Sequence, residues 1–129
     1  MTPIKTTSDL LRRLKELLPH NTLFGRTDDL PKDFKEGFVV HVGDINKIDE
    51  KSGICGCNNY DQIIFIDYRL QSHRDDWLFR TTEKQEELLL LLQEIHPRLR
   101  FENFDEPQAE SAEFTFVGSR STWAFNYDL

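Results

Sequence analysis

The side chains that could do chemistry are few and scattered. Two cysteines stand together in Ile54-Cys55-Gly56-Cys57. A disulfide across one intervening residue is strained. A structural zinc takes about four ligands, yet there is no second cysteine pair, and His20, His41, His73 and His96 are spread along the chain. Cys55 and Cys57 therefore read as reduced thiols in a loop, and no metal or cofactor is expected. Carboxylates are doubled at Asp28-Asp29 and Asp75-Asp76. Catalysis would need them to converge with partners in a pocket, and nothing in their spacing requires that. Pro31-Lys32-Asp33 matches the opening of a metal-dependent nuclease motif but lacks the Glu-x-Lys that completes it. Gly53 and Gly56 are not followed by a helix or by Gly-Lys-Ser/Thr, so no phosphate loop is present. Ser119 and Ser121 lie outside any nucleophile elbow. An enzyme site could also be built from residues distant in the chain, for instance His41, Asp44 and Asp67. They would form a catalytic site only in a pocket that perturbs their titration. The chain is read as a non-enzyme.

The whole composition narrows the classes further. The chain has 129 residues, a net charge of −7, 38% hydrophobic residues and 30% charged ones. This length suits a single domain, residues 1–129. Ten Phe, three Tyr and two Trp are enough to build a core, so global disorder is not expected. No apolar run approaches the roughly 20 residues of a membrane span. Met1-Thr2-Pro3-Ile4-Lys5 has no apolar h-region, so no secretory leader is expected. The acidic balance opposes a dedicated nucleic-acid binder, which needs a basic face to displace counterions. A soluble, cytosol-made domain is the expectation.

The elements that must position these residues follow from periodicity. Leu10, Leu11, Leu14, Leu17 and Leu18 repeat at helical spacing behind the N-cap candidates Thr6-Thr7-Ser8-Asp9, and Pro19 ends that helix. Leu23-Phe24-Gly25 reads as a short strand, and 26–35 as a polar loop anchored by Leu30-Pro31. Phe38, Val40 and Val42 alternate with Val39 and His41 as a strand that Ile45 and Ile48 extend. Asn46 to Asn59 reads as a loop or hairpin tip. Ile63 to Leu70 is the clearest strand, with Ile64, Ile66, Tyr68 and Leu70 on one face. Ser72 to Arg80 reads as a charged connection. Thr82 and Gln85 match a capping box ahead of a second helix through Leu88–Leu92 and Ile95, closed by Pro97. Leu99, Phe101 and Phe104 suggest a short strand. Glu113 to Tyr127 is either a hairpin or one long strand with a bulge at Gly118. Trp77 and Trp123 read as core residues. The order α-β-β-α-β predicts an α+β fold, a curved antiparallel sheet packed by two helices.

In this order of elements the chain resembles the tail terminator (tail completion) proteins of long-tailed bacteriophages. The resemblance runs through the opening helix Asp9 to Leu18, Phe24-Gly25-Arg26, and Leu30-Pro31 with Phe34 leading to Phe38-Val39-Val40. It continues through the strand Ile63 to Leu70, the helix Glu83 to Ile95, and the closing aromatics Trp123-Ala124-Phe125-Asn126-Tyr127. The Asn46–Asn59 stretch with its Cys-Gly-Cys departs from the family pattern. The resemblance implies a structural virion protein of the tail, assembled in the host bacterial cytoplasm. It implies a homo-oligomer, a hexameric ring, at the head-proximal end of the tail tube. That ring ends polymerisation of the tail tube protein, docks to the head connector or neck protein, and lets DNA pass through its lumen without specific binding. Five leucines from Leu88 to Leu92 cover more than one helix face, and sheet edges join subunits. Leu89, Leu91, Trp123 and Phe125 are the interface candidates on that reading. Asp28, Asp29, Glu50, Asp75 and Asp76 are the candidates for lumen or rim charge that repels phosphate; singly, each also fits ordinary solubilising surface.

An acidic chain also suits a small inhibitor, immunity or anti-defence protein that covers a basic partner surface. Such a mimic gathers its carboxylates on one face, whereas acids and bases here are interspersed outside Glu102 to Glu113.

Overall fold

The computed structural model describes residues 3–25, 30–48, 58–71, 76–106, 108–109 and 116–129. Among these, helix α1 spans Thr7–Leu17 and helix α2 spans Trp77–Leu92. The strands are β1 (Leu23–Phe24), β2 (Glu36–Lys47), β3 (Asn59–Gln71), β4 (Leu99–Phe104), β5 (Gln108–Ala109) and β6 (Phe116–Asp128). They form one sheet in the order β1-β2-β3-β6-β4, with β5 attached to β6. The fold is α+β, as the periodicity predicts. The sheet is mixed rather than purely antiparallel, because the short β1 runs parallel to β2.

The ends of α1 are written in its sequence. Thr6 is the N-cap, and its hydroxyl accepts from the Asp9 amide at 3.4 Å. The Asp9 carboxylate in turn accepts from the backbone amides of Lys5 and Thr6 at 3.1 and 3.2 Å. This reciprocal box satisfies donors that the first turn leaves open. The Lys5 amide holds the Asp9 carboxyl below its usual range, because the bond exists only to the charged form. Leu10, Leu14 and Leu18 face inward at the predicted spacing and are buried.

The second helix begins earlier than its capping-box signature suggests. It starts at Trp77, so Thr82 lies inside it and its hydroxyl donates to the Leu78 carbonyl at 2.9 Å. That back-bond satisfies Thr82 in mid-helix, where the pattern suggested a cap. Leu88 and Leu92 are buried, Leu89 is half-buried, and Leu90 stands outward. Both helices contribute to a single apolar cluster with Phe38, Val40, Ile64, Ile66, Trp123 and Phe125. Both therefore cover the same face of the sheet.

The strands run longer than their apolar cores. β2 and β3 stay paired out to Lys47 and Tyr60, which shortens the loop expected between Asn46 and Asn59. A bulge interrupts them between Val42 and Ile45, at Gly43-Asp44. The buried Gln62 side chain pins it, donating to the carbonyls of Gly43 and Asp44 at 2.8 and 3.3 Å. β6 is one continuous strand and pairs with β3 over its whole length without a register shift, so there is neither a hairpin nor a bulge at Gly118. A further irregularity falls in β4 between Phe101 and Asn103.

Gly118 is there for space. Its φ of +153° is one that L side chains rarely adopt, and a Cβ would stand 1.8 Å from the Tyr68 carbonyl oxygen. Both strands are backbone at that point, so neither can yield cheaply. Gly118→Ala is expected to cost on the order of 4 kcal/mol, among the largest effects a single substitution has. Urea unfolding followed by circular dichroism measures it; a loss under about 1 kcal/mol would contradict this packing.

Candidate functional site

Among the described residues, two polar clusters and the outer margin of β2 bear on function. The first cluster lies on the sheet face opposite the helices. Phe65, Asp67 and Arg69 alternate on β3 with the core residues Ile64, Ile66, Tyr68 and Leu70, so period two sends them to that opposite face. Asp67 stands directly across from Arg120 of β6 and Val39 of β2, and Phe65 stands across from His41. The Asp67 carboxylate is fully covered. Arg120 grips it with two parallel bonds, Nε to Oδ1 at 2.8 Å and Nη2 to Oδ2 at 3.1 Å. Arg69 Nη2 and His41 Nδ1 approach Oδ2 at 3.9 and 4.0 Å. The Arg120 guanidinium also lies 4.6 Å above the Phe65 ring centre, a cation–π contact. Gly118 faces Arg69 across the ladder and offers no side chain there.

This arrangement brings together two of the three residues considered for catalysis, His41 and Asp67. Asp44 does not join them: it sits exposed in the β2 bulge. Both Asp67 oxygens are engaged by arginine, so the cluster works as a cross-strand ion lock joining β3 to β6.

The second cluster ties α2 to the sheet. Arg80, in the first turns of α2, donates to Glu36 through Nε at 3.0 Å and Nη2 at 3.2 Å. The Tyr68 hydroxyl donates to the same Glu36 carboxylate through a short bond. These residues line a cleft of about 180 Å³ with Asn21 and Lys84. Burial first, and then the bond to Glu36, push the Tyr68 hydroxyl well above its usual value; Glu36 likewise raises Arg80. The signal for this cluster in the sequence is weak, since Glu36 and Arg80 lie 44 residues apart.

The margin is the outer side of β2. β1 pairs only with Val39 and Val40. Among the described residues, no strand pairs with β2 beyond that point on this side. Register and the bulge place Phe24, Val42 and Ile45 on the helix-bearing face along this margin, and they are 41, 47 and 55% exposed.

The predicted interface residues separate sharply. Trp123 and Phe125 are 1 and 0% exposed. They fill the core of a single chain, which corrects their assignment to a subunit surface. They alternate toward the helices on a strand enclosed between β3 and β4, so their aromatic pattern marks the core. Leu89 packs against that core, while Leu91 is partly open at 36%. The outward leucine is Leu90. Of the rim acids, Asp76 is exposed at the start of α2. Asp28, Asp29, Glu50 and Asp75 lie outside the described residues, as do Cys55 and Cys57.

Two measurements test the clusters. Asp67→Asn leaves two guanidinium groups facing a neutral amide at a covered site and is expected to cost about 3 kcal/mol. Asp44→Asn, exposed in the bulge, is expected to change unfolding by less than about 0.5 kcal/mol. Equal effects in urea unfolding would dismiss the ion lock. The Tyr68 prediction has a definite sign. A raised hydroxyl value in the fold means the stabilisation is complete below pH 10, the ordinary value, and fades as pH rises through the raised one. The tyrosinate absorbance difference between the protein and Tyr68→Phe is therefore expected to open only well above pH 10. A step at the ordinary value would show a hydroxyl free in water.

No protein-family model matches the chain, and no curated protein matches it.

Proposed function

We propose that the chain is a structural subunit of the tail-terminator kind, joining copies of itself edge to edge in a hexameric ring. On this reading the ring caps the head-proximal end of a phage tail tube, halts its polymerisation and docks to the head connector. The observation that carries the reading is the outer margin of β2, which among the described residues is paired only at Val39 and Val40. Monomeric proteins shorten, charge, bulge or cover such edges; β2 carries a bulge at Gly43-Asp44 but keeps apolar side chains beside it, and strand addition at an open edge is a recurring mode of association. Here the edge runs beside exposed Phe24, Val42 and Ile45. At the other end of the sheet lies β4, with Phe101 40% exposed. A contact between two unlike edges is head-to-tail, and such contacts close into rings when the rotation between subunits allows it. The net charge of −7 suits a ring through which DNA slides without sticking.

One observation favours a second reading, an acidic inhibitor that covers a basic partner surface. Glu83, Glu86, Glu87 and Glu94 are exposed on or just after α2, near the outward-standing Phe79 and Leu90.

Light scattering across a concentration series, with and without the cognate tail tube protein, separates the two. The expected result is a closed species of about six subunits, alone or on the tube. Val42→Lys and Ile45→Lys are expected to return the protein to monomer while leaving its unfolding midpoint within the range of surface changes. A monomer that ignores tube protein would overturn the ring and favour the inhibitor. Rings that form unchanged in both lysine variants would remove the β2 margin as the contact.

A further inference from the structure

Helix α2 carries an outward line of side chains that neither its packing nor its own stability explains. The buried residues Thr81, Leu88 and Leu92 set the direction of the core. At about 100° per residue, Phe79, Glu83, Glu86 and Leu90 fall on the opposite side of the helix. All four are exposed. Phe79 at 74% and Leu90 at 76% are the most exposed of the large apolar side chains described.

Helix energetics gives no reason for the acids. Carboxylates stabilise a helix in its first turn, and the first turn of α2 holds none. Glu83 stands three residues before Glu86 and four before Glu87, spacings at which like charges oppose a helix. Lys84 pairs with Glu87 at 3.0 Å. Among the described residues no ion pair reaches Glu83 or Glu86.

The line steps by four, three and four residues, the interval of a seam that meets a second helix. Its composition selects the partner. The apolar ends stand about 16 Å apart along the axis, and each gains by leaving water. Between them, a second copy of α2 would set carboxylate against carboxylate, a repulsive pairing. A lipid-binding helix keeps its charges off its apolar line, whereas here the acids sit within it. A complementary seam has cations at its centre and apolar side chains at its ends.

We propose that α2 docks, through Phe79, Glu83, Glu86 and Leu90, a helix of a different protein that carries two lysines or arginines between two apolar side chains. The aliphatic stems of such cations cover the line while their heads reach the carboxylates. For the inhibitor reading, this narrows the basic partner surface to a helix of stated pattern. The contact uses a helix face and the proposed ring uses strand edges, so either can fail without the other.

The test is an NMR titration of the full-length protein with synthetic peptides of about 20 residues, long enough to be helical in an alanine–glutamine background. The lysine peptide carries leucines at the spacing of Phe79 and Leu90, and lysines at the spacing of Glu83 and Glu86. That pattern reads the same in both directions, so one peptide serves parallel and antiparallel docking. Saturable amide shifts along the outer side of α2 are expected, with a dissociation constant on the order of 0.1 mM. Phe79→Ser and Leu90→Ser are each expected to weaken binding about tenfold, with circular dichroism unchanged because both side chains are exposed. The double variant Glu83→Lys with Glu86→Lys is expected to lose the lysine peptide and to gain a matching glutamate peptide. No saturable shift by about 2 mM lysine peptide, equal binding of the lysine and glutamate peptides, or equal binding of a lysine peptide stripped of its leucines would each overturn the proposal. Self-association, or binding to phosphatidylcholine vesicles, that Phe79→Ser abolishes would assign the line to a second copy or to lipid and overturn it as well.

Discussion

The pairing of β6 with β3 along their full thirteen-residue lengths is the constraint on which the other features hang. β6 is the last strand in sequence yet lies inside the sheet, between β3 and β4. Until it docks, β3 has one side unpaired, β4 and β5 have no ladder to join, and the helices lack Trp123 and Phe125 to cover. Such long-range pairing carries a loop-closure cost that local contacts do not. The chain lowers the risk of a slipped register with side chains that fit only one alignment. Gly118 must meet Arg69, with the Tyr68 carbonyl where a Cβ would stand, and Arg120 must meet Asp67. Ser121 donates to the Ile66 carbonyl at 2.7 Å and accepts from the Trp123 indole at 2.9 Å. A shift by one residue would reverse every face of the strand.

The two faces of the sheet are held by different physics. Toward the helices, burial of leucine, phenylalanine and tryptophan dominates. Toward the other side, the central strands carry polar pairs. At one end Asn59 and Asn126 bond each other reciprocally at 3.1 and 2.8 Å, with Asp61 accepting from Asn126 at 2.7 Å. Further along, Asp67 and its arginines take over. Asn59, Asn126 and Asp67 each have partners there, as a covered polar group must. These pairs contribute alignment more than raw stability, since forming them costs desolvation while misplacing them costs more.

Much of this was legible in the sequence. The helical spacing of Leu10, Leu14 and Leu18 and the period-two set of β3 each specify one face. The extension of strands past their apolar centres was hidden, because Asn59, Asp61 and Asn126 are turn-like residues that become ladder residues only when they find each other. The start of α2 is hidden for a related reason: Thr82 with Gln85 carries the fuller cap signature, while Asp76, the actual N-cap, makes no side-chain cap bond and sits in a charged stretch that reads as a connection. The aromatics of β6 fit an interface as well as a core in the sequence, since alternation cannot tell a core-facing side chain from a partner-facing one; burial places Trp123 and Phe125 in the core. The Asp67 cluster had a visible sign, a lone aspartate inside the strongest apolar strand. Burial of such a carboxylate demands a cation, but which arginine supplies it depends on a register that no local pattern reveals.

The bulge at Gly43-Asp44 links these themes to the open edge. Without it, β2 would continue as a regular ladder edge whose alternate residues look alike to an incoming strand. Gly43 is held close to Phe65, a Cβ there standing 2.8 Å from its ring, and Gln62 fixes both bulge carbonyls. Gln62 lies within 3.5 Å of the Thr7 hydroxyl at the start of α1, so the irregularity is supported from both layers. An irregular edge presents its exposed Val42 and Ile45 in one alignment only. In the assembly proposed here this matters more than affinity. A closed ring repeats the same contact at every joint, and a slip at one joint opens it. Apolar side chains attract without specifying register, and a supported bulge supplies the register they lack.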